Sequence, residues 1–174
     1  MLGQLEQIES RWRLRFTREL RHRPEKVWRA LVEPEHLDAW FPTTMEGDRV
    51  EGAELTFSFR KDEAPSMHGE MITYDPYSVL EFKWGEDLIR FELRPESDGT
   101  VLTLFDTFDE LGRAARDAAG WHVCLDLLDD RLAGAEPPAD GGRSRWETVH
   151  TEYVEVLGPE AAAIGPPEEF LNKS

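Results

Sequence analysis

Between residues 119 and 134 the chain reads AGWHVCLDLLDDRLAG, placing His122, Cys124 and Asp126 within five positions. Histidine, thiol and carboxylate are ligands for transition metals and the working groups of nucleophilic catalysis. Both chemistries need side chains that converge on one point. On a helix of 100° per residue centred on Leu125, Trp121 lies about 40° to one side and His122 about 60° to the other. Cys124 then stands about 100° off on the Trp121 flank, and Asp126 about 100° off on the His122 flank. The three do not converge, so the sequence predicts no metal centre and no Cys–His dyad here. His22, His36, His68 and His150 show no ligand spacing either. His122 is left as a polar group on an inward face, held by a hydrogen bond or lining a pocket.

Two other charged residues share its expected surroundings. Trp12, Leu14 and Phe16 alternate with Arg11, Arg13 and Arg15, a strand pattern that also turns Arg18 inward. On the last strand, VLTLFDTF, Leu102 and Leu104 turn Asp106 inward by the same parity. If these strands are neighbours, Arg18 and Asp106 form a cross-strand ion pair, or the polar end of an apolar cavity. Arg18, Asp106 and His122 together could serve as oxyanion holder, acid and base. No phosphate-cradling glycine loop and no nucleophile elbow occur, and no catalytic residue is assigned.

The elements that must position these groups follow from periodicity. After the first strand, Pro24 opens a short helix with Val27, Trp28 and Leu31 on its apolar side, and Pro34 opens a second that ends before Pro42. Strands follow at ELTFSFR, near 67–74, at VLEFKW, LIRFEL and VLTLFDTF, with Asp98–Gly99 expected at the tip of the last hairpin. From 112 to 133, Leu111, Ala114, Ala118, Trp121, Leu125, Leu128 and Leu132 recur at helical spacing, and Gly134 ends the run. A closing helix is expected at 144–157, with Trp146, Val149, Tyr153 and Val156 on one side. A loose tail is expected at 159–174. The fold class is α+β: an antiparallel six-stranded sheet wrapped around a long C-terminal helix, in one domain over 1–158. The small side chains of AARDAAG on that helix imply either close packing or a cavity beside Phe82, Trp84, Phe91 and Trp121.

The totals narrow the partners. The 174-residue chain has a formal net charge of −16, which opposes nucleic acid and anionic membranes. Its first 30 residues are net +4 against −20 for the rest, a basic edge on an acidic protein. One cysteine rules out an internal disulfide and suits a reducing cytoplasm. No signal-peptide pattern and no membrane-length apolar run are present, so a cytoplasmic protein without membrane insertion is expected.

Taken in order, Pro24, Val27–Trp28, Ala30–Leu31, Pro34, Leu37 and Trp40–Phe41, then HGEMITYDPYSVLEFKW, DGTVLTLFDTF and GWHVCLDLLDDRLAG, resemble the START-like, or SRPBCC, helix-grip superfamily. The branch resembled is the one named for the activator of heat shock protein 90 ATPase, in its bacterial single-domain form. WETVHTEYVEVLG is similar to the closing helix of bacterial members. The resemblance is to the C-terminal domain of the eukaryotic activator. The N-terminal domain that helps stimulate the ATPase has no counterpart here. The resemblance implies a non-enzymatic module, without a cofactor, holding a small hydrophobic or amphipathic ligand between sheet and long helix. The expected ligand-binding residues are Arg18, Phe82, Trp84, Phe91, Leu104, Asp106, Ala118, Trp121, His122 and Leu125. Its alternatives are an adaptor for a protein partner such as a chaperone, a homodimer, or a cyclase- or hydrolase-like enzyme.

Overall fold

The computed structural model describes residues 1–60 and 64–167. The strands are β1 (Gln4–Ile8), β2 (Arg11–Leu20), β3 (Glu54–Phe57), β4 (Met67–Asp75), β5 (Val79–Trp84), β6 (Asp87–Glu96) and β7 (Gly99–Phe108). The helices are α1 (Pro24–Val32), α2 (Pro34–Leu37), α3 (Ala114–Leu132) and α4 (Arg143–Leu157). The sheet is antiparallel in the order β1-β2-β7-β6-β5-β4-β3. It has seven strands rather than the expected six. The extra one, β1, is short and polar and buries little, so its apolar alternation is too weak to read. It exists because it pairs with the edge of β2, Gln4 to Arg15 through Ile8 to Arg11. That pairing also gives the basic edge local partners: Arg13 pairs with Glu6 at 2.7 Å, and Arg15 donates to Gln4.

The inward parity of the other strands is as expected. Leu14 and Phe16, Leu80 and Phe82, Ile89 and Phe91, and Leu102, Leu104, Asp106 and Phe108 are all buried. In β4 the parity is broken by a bulge between Met71 and Thr73, which leaves Met71 buried and Glu70 exposed. At the β6–β7 hairpin the tip is Ser97–Asp98, one residue earlier than expected, because Glu96 pairs with Gly99. Gly99 lies within the strand, where a Cβ would come 2.4 Å from the Leu20 carbonyl oxygen; close approach, not a turn, requires it.

Helix α3 packs against β2, α1 and α4. Ala114, Ala115, Ala118 and Ala119 have no exposed surface, so the small residues mark close packing. Gly134 ends the helix with φ +73°. The outer side of α3 is covered by α4: Val123 is buried, and a Cβ on Gly142 would meet its methyl at 2.7 Å. Trp146, Val149 and Tyr153 are buried as expected, but Val156 is 64% exposed. The expected loose tail starts as structure: Pro159–Ala162 form a 3-10 turn, Ala161 is buried, and the Ile164 N–H donates to the Gly112 carbonyl at 2.9 Å. The remainder of that expectation, 168–174, lies outside the described residues. Among the described residues, no helix is long and apolar enough to cross a membrane.

Gly69, in β4, makes the tightest backbone approach in the sheet: a Cβ there would sit 1.8 Å from the Lys83 carbonyl oxygen of β5. Gly69→Ala must therefore part the two strands, and a loss of about 3 kcal/mol is expected. Urea unfolding of the two proteins measures it. An unchanged midpoint would show that the seam between β4 and β5 yields freely.

Candidate functional site

The two inward charges expected to pair do not meet. Register sets Asp106 opposite Leu14 and Arg18 opposite Leu102. Four residues of strand, about 13 Å, separate them along the ladder. Parity alone predicts the shared face; it carries no register, and the expected ion pair is corrected on that ground.

Arg18 joins His122 instead, with Nη2 3.4 Å from Nδ1. The Tyr153 hydroxyl lies 2.9 Å from the same Nδ1 and accepts the Gly3 N–H at 2.7 Å. His122 Nε2 faces Asp126 at 3.9 Å. A neutral imidazole with its proton on Nε2 fits this set, because Nδ1 is then free to accept. Burial, then the charge of Arg18, lowers the His122 pKa, which keeps it in that form. This cluster ties the residue before β1 to β2, α3 and α4.

Asp106 lies in a second cluster on the Trp121 flank of α3. It is 1% exposed. Its Oδ2 accepts the Trp121 indole N–H at 2.9 Å, and its Oδ1 is buried with no hydrogen-bond donor. Carboxyl oxygens of Asp87, Asp106 and Asp117 lie within 4.8 Å of one another. Arg113 bridges two of them, bonding Asp87 directly and Asp117 at 2.6 Å. Burial, then the adjacent Asp87 charge, holds the Asp106 pKa well above the carboxylate range. Burial also raises Asp87, against the pull of Asp106 and Arg113. A proton between Asp106 and Asp87 meets both demands: it gives Oδ1 a partner and removes one of two adjacent charges.

This cluster forms the buried end of an open cleft of about 960 Å³. The cleft runs along one flank of α3, past Gly120, Trp121 and Cys124 to Leu127, and faces Trp40–Pro42, Phe59, Met67 and Trp84. Its wall is a triangle of rings: Phe41 to Trp84 at 5.9 Å, Phe41 to Trp121 at 5.7 Å, and Trp84 to Trp121 at 5.4 Å. Trp84 is fixed by a 3.1 Å bond from its indole N–H to the buried Thr43 hydroxyl. Half-buried Cys124 lines this wall, and burial pushes its thiol up to about 12, away from the thiolate form.

Of the residues expected to line a cavity, Trp84, Asp106 and Trp121 reach the cleft. Phe82, Phe91, Leu104, Ala118 and Leu125 are at most 2% exposed and pack in the core. Arg18 and His122 lie together in the other cluster, away from Asp106, so the expected trio does not assemble. Sequence reasoning misses Asp87, Arg113 and Asp117. The i,i+4 spacing of Arg113 and Asp117 is a readable signal. Asp87 reads as a turn residue in GED, yet it is the first residue of β6 and 4% exposed.

The raised Asp106 pKa has a definite consequence for stability. The unfolded chain releases this proton at an ordinary carboxyl value of about 4, while the folded protein keeps it. Stability therefore falls as pH rises from there through the folded value. Asp106→Asn retains an acceptor for Trp121 and a donor toward Asp87 without the charge. The variant is expected to be the more stable protein at neutral pH, with a flatter pH profile of the urea midpoint. A less stable variant with an unchanged profile would mean that Asp106 is ionised in the folded protein.

Comparison with known proteins supplies the family. Residues 21–133 match the family described as Activator of Hsp90 ATPase homolog 1-like protein. No curated protein matches the chain. A conserved protein of unknown function from Enterococcus faecalis, EF2215, superposes with a TM-score of 0.73 at 20% identity, over 89% of this chain and 90% of that one. CalU16 from Micromonospora echinospora superposes at 0.71 and 19% identity, over 91% and 90%. The Aha1 dimer from Colwellia psychrerythraea superposes at 0.59 and 19% identity, over 69% and 95%. At these identities the structures share a fold, and function does not follow from it. The family match spans well over half the sequence and agrees with the helix-grip arrangement of sheet and α3, so the chain belongs to the Activator of Hsp90 ATPase homolog 1-like family.

Proposed function

We propose that this chain is a START-like binding domain that holds a small hydrophobic or amphipathic molecule in the cleft beside α3. The observation that carries the reading is the cleft itself: about 960 Å³, walled by Phe41, Trp84 and Trp121, with Asp87 and Asp106 at its buried end. An apolar cavity with a few convergent polar groups is the usual form of a small-molecule site. The site lies on the flank of α3 and not beneath it. Phe82, Phe91, Leu104 and Leu125 then act from behind, as the packing that fixes the rings. A second copy of the chain as partner is a further reading, favoured by the Colwellia relative, which is described as a dimer.

Gly120 offers a clean test. It lines the cleft, and a Cβ there meets only the Trp146 indole nitrogen, at 3.9 Å. Gly120→Leu fills the cleft and improves helix propensity by about 1 kcal/mol, so the fold is expected to persist. Native mass spectrometry of protein gently purified from its own host should show a bound small molecule on the parent chain, released on denaturation, and a bare Gly120→Leu variant. The same adduct on both proteins would place the ligand elsewhere. Two bare chains would move the weight to a protein partner.

A further inference from the structure

The buried end of the cleft selects among ligands by charge. Among the described residues at this end, Asp106 has an unmet demand: Trp121 takes Oδ2, and Oδ1 has no donor although the residue is only 1% exposed. The charged groups facing it are Asp87 from β6, Arg113 from the turn before α3, and Asp117 from the first turns of α3. Arg116 pairs with the outer oxygen of Asp117 at 3.2 Å. Three carboxylates thus share two guanidiniums, and the surplus negative charge belongs to the Asp87–Asp106 pair. One proton balances it when no ligand does. A ligand group that brings its own N–H and its own positive charge replaces that proton and satisfies Oδ1 directly. A neutral hydroxyl supplies the bond without the charge. At the Asp87–Asp106 end a carboxylate meets like charge and finds Arg113 already engaged with Asp87 and Asp117, while the other arginines of the lining, Arg60, Arg116 and Arg143, belong to the rest of the cleft. A metal ion would compete with Arg113, which already bonds two of the three carboxylates.

The aromatic wall points the same way. Trp84, Trp121 and Phe41 stand beside the acidic end, and ring faces favour both apolar bodies and organic cations. We propose, resting on the reading that the cleft binds a small amphipathic molecule, that its ligand class is a hydrophobic amine. The ammonium sits against Asp106 and Asp87, and the apolar body lies on Phe41, Trp84 and Trp121.

The test is a calorimetric titration of the full chain with phenylbutylamine, phenylbutanol and phenylbutyrate, which share one apolar body and differ in head group. The amine should bind at least about tenfold more tightly than the alcohol, with the carboxylate weakest. Asp106→Asn should bring the amine to within about threefold of the alcohol, because the charge that separates them is gone. Should that variant fail to fold, the ranking on the parent chain decides alone. Alcohol or carboxylate binding as tightly as the amine overturns the amine assignment while leaving the cleft a binding site. Binding of none of the three overturns both readings. Manganese chloride that binds the parent chain, excludes the amine and is lost in Asp106→Asn also overturns the proposal, making the carboxylates a metal site.

Discussion

The bond from the Trp121 indole to the Asp106 carboxyl holds the buried end of the cleft in place. It joins the long helix to an inner strand of the sheet, at the one inward position of β7 that is charged. Its cost is the desolvation of a carboxyl group. Asp87, Arg113 and Asp117 gather there to manage that cost, and their gathering fixes the start of α3 against the first residue of β6. Trp121, oriented by the same bond, becomes one side of the ring triangle. The shape of the cleft and its charge therefore have one origin. A purely apolar pair at these positions would remove the buried carboxyl and leave only Asp87, Arg113 and Asp117 at that end.

The two flanks of α3 divide the labour. On one side His122, Tyr153 and Arg18 form a closed set in which the Tyr153 hydroxyl and His122 have partners from three elements. It serves architecture. On the other side, the acidic set opens onto the cleft with one carboxyl oxygen unmet. The contrast follows from helical geometry: residues 121 and 122 are adjacent in sequence but lie about 100° apart around the axis. One side chain is delivered to each site.

Much of this is legible in the sequence, and the limits have physical reasons. Period-2 alternation finds the strands that bury a face, β2 and β5 to β7, together with the inward turn of Asp106. It cannot find β1, which has no buried face of its own and is held by backbone pairing. The helical wheel alone separates Cys124 from Asp126 and His122 from Trp121. Cys124 indeed reaches the cleft while Asp126 faces His122. Register is beyond reach, because side-chain parity repeats every two residues and says nothing of which pair stands opposite. Parity therefore matches Arg18 to Asp106, whereas the ladder sets it beside His122. The cleft's acidic partners are hidden for a related reason: Asp87 and Asp117 are 30 residues apart on different elements, and each alone reads as a surface charge.

The Gly3–Tyr153 contact also joins the two ends of the domain. Gly3 packs so closely on the Phe16 ring that a Cβ would lie 2.4 Å from it, and its N–H ends on a hydroxyl 150 positions downstream. The β1–β2 hairpin is local and can form while the chain is still being made. Its inner neighbour, β7, is separated from it by nearly the whole sheet, and the clasp over it arrives only with α4. Contacts of such high sequence separation carry a large loop-closure cost and slow the final step of folding. The first strands to be synthesised are therefore covered by segments made much later, β7 beside β2 and α4 over Gly3.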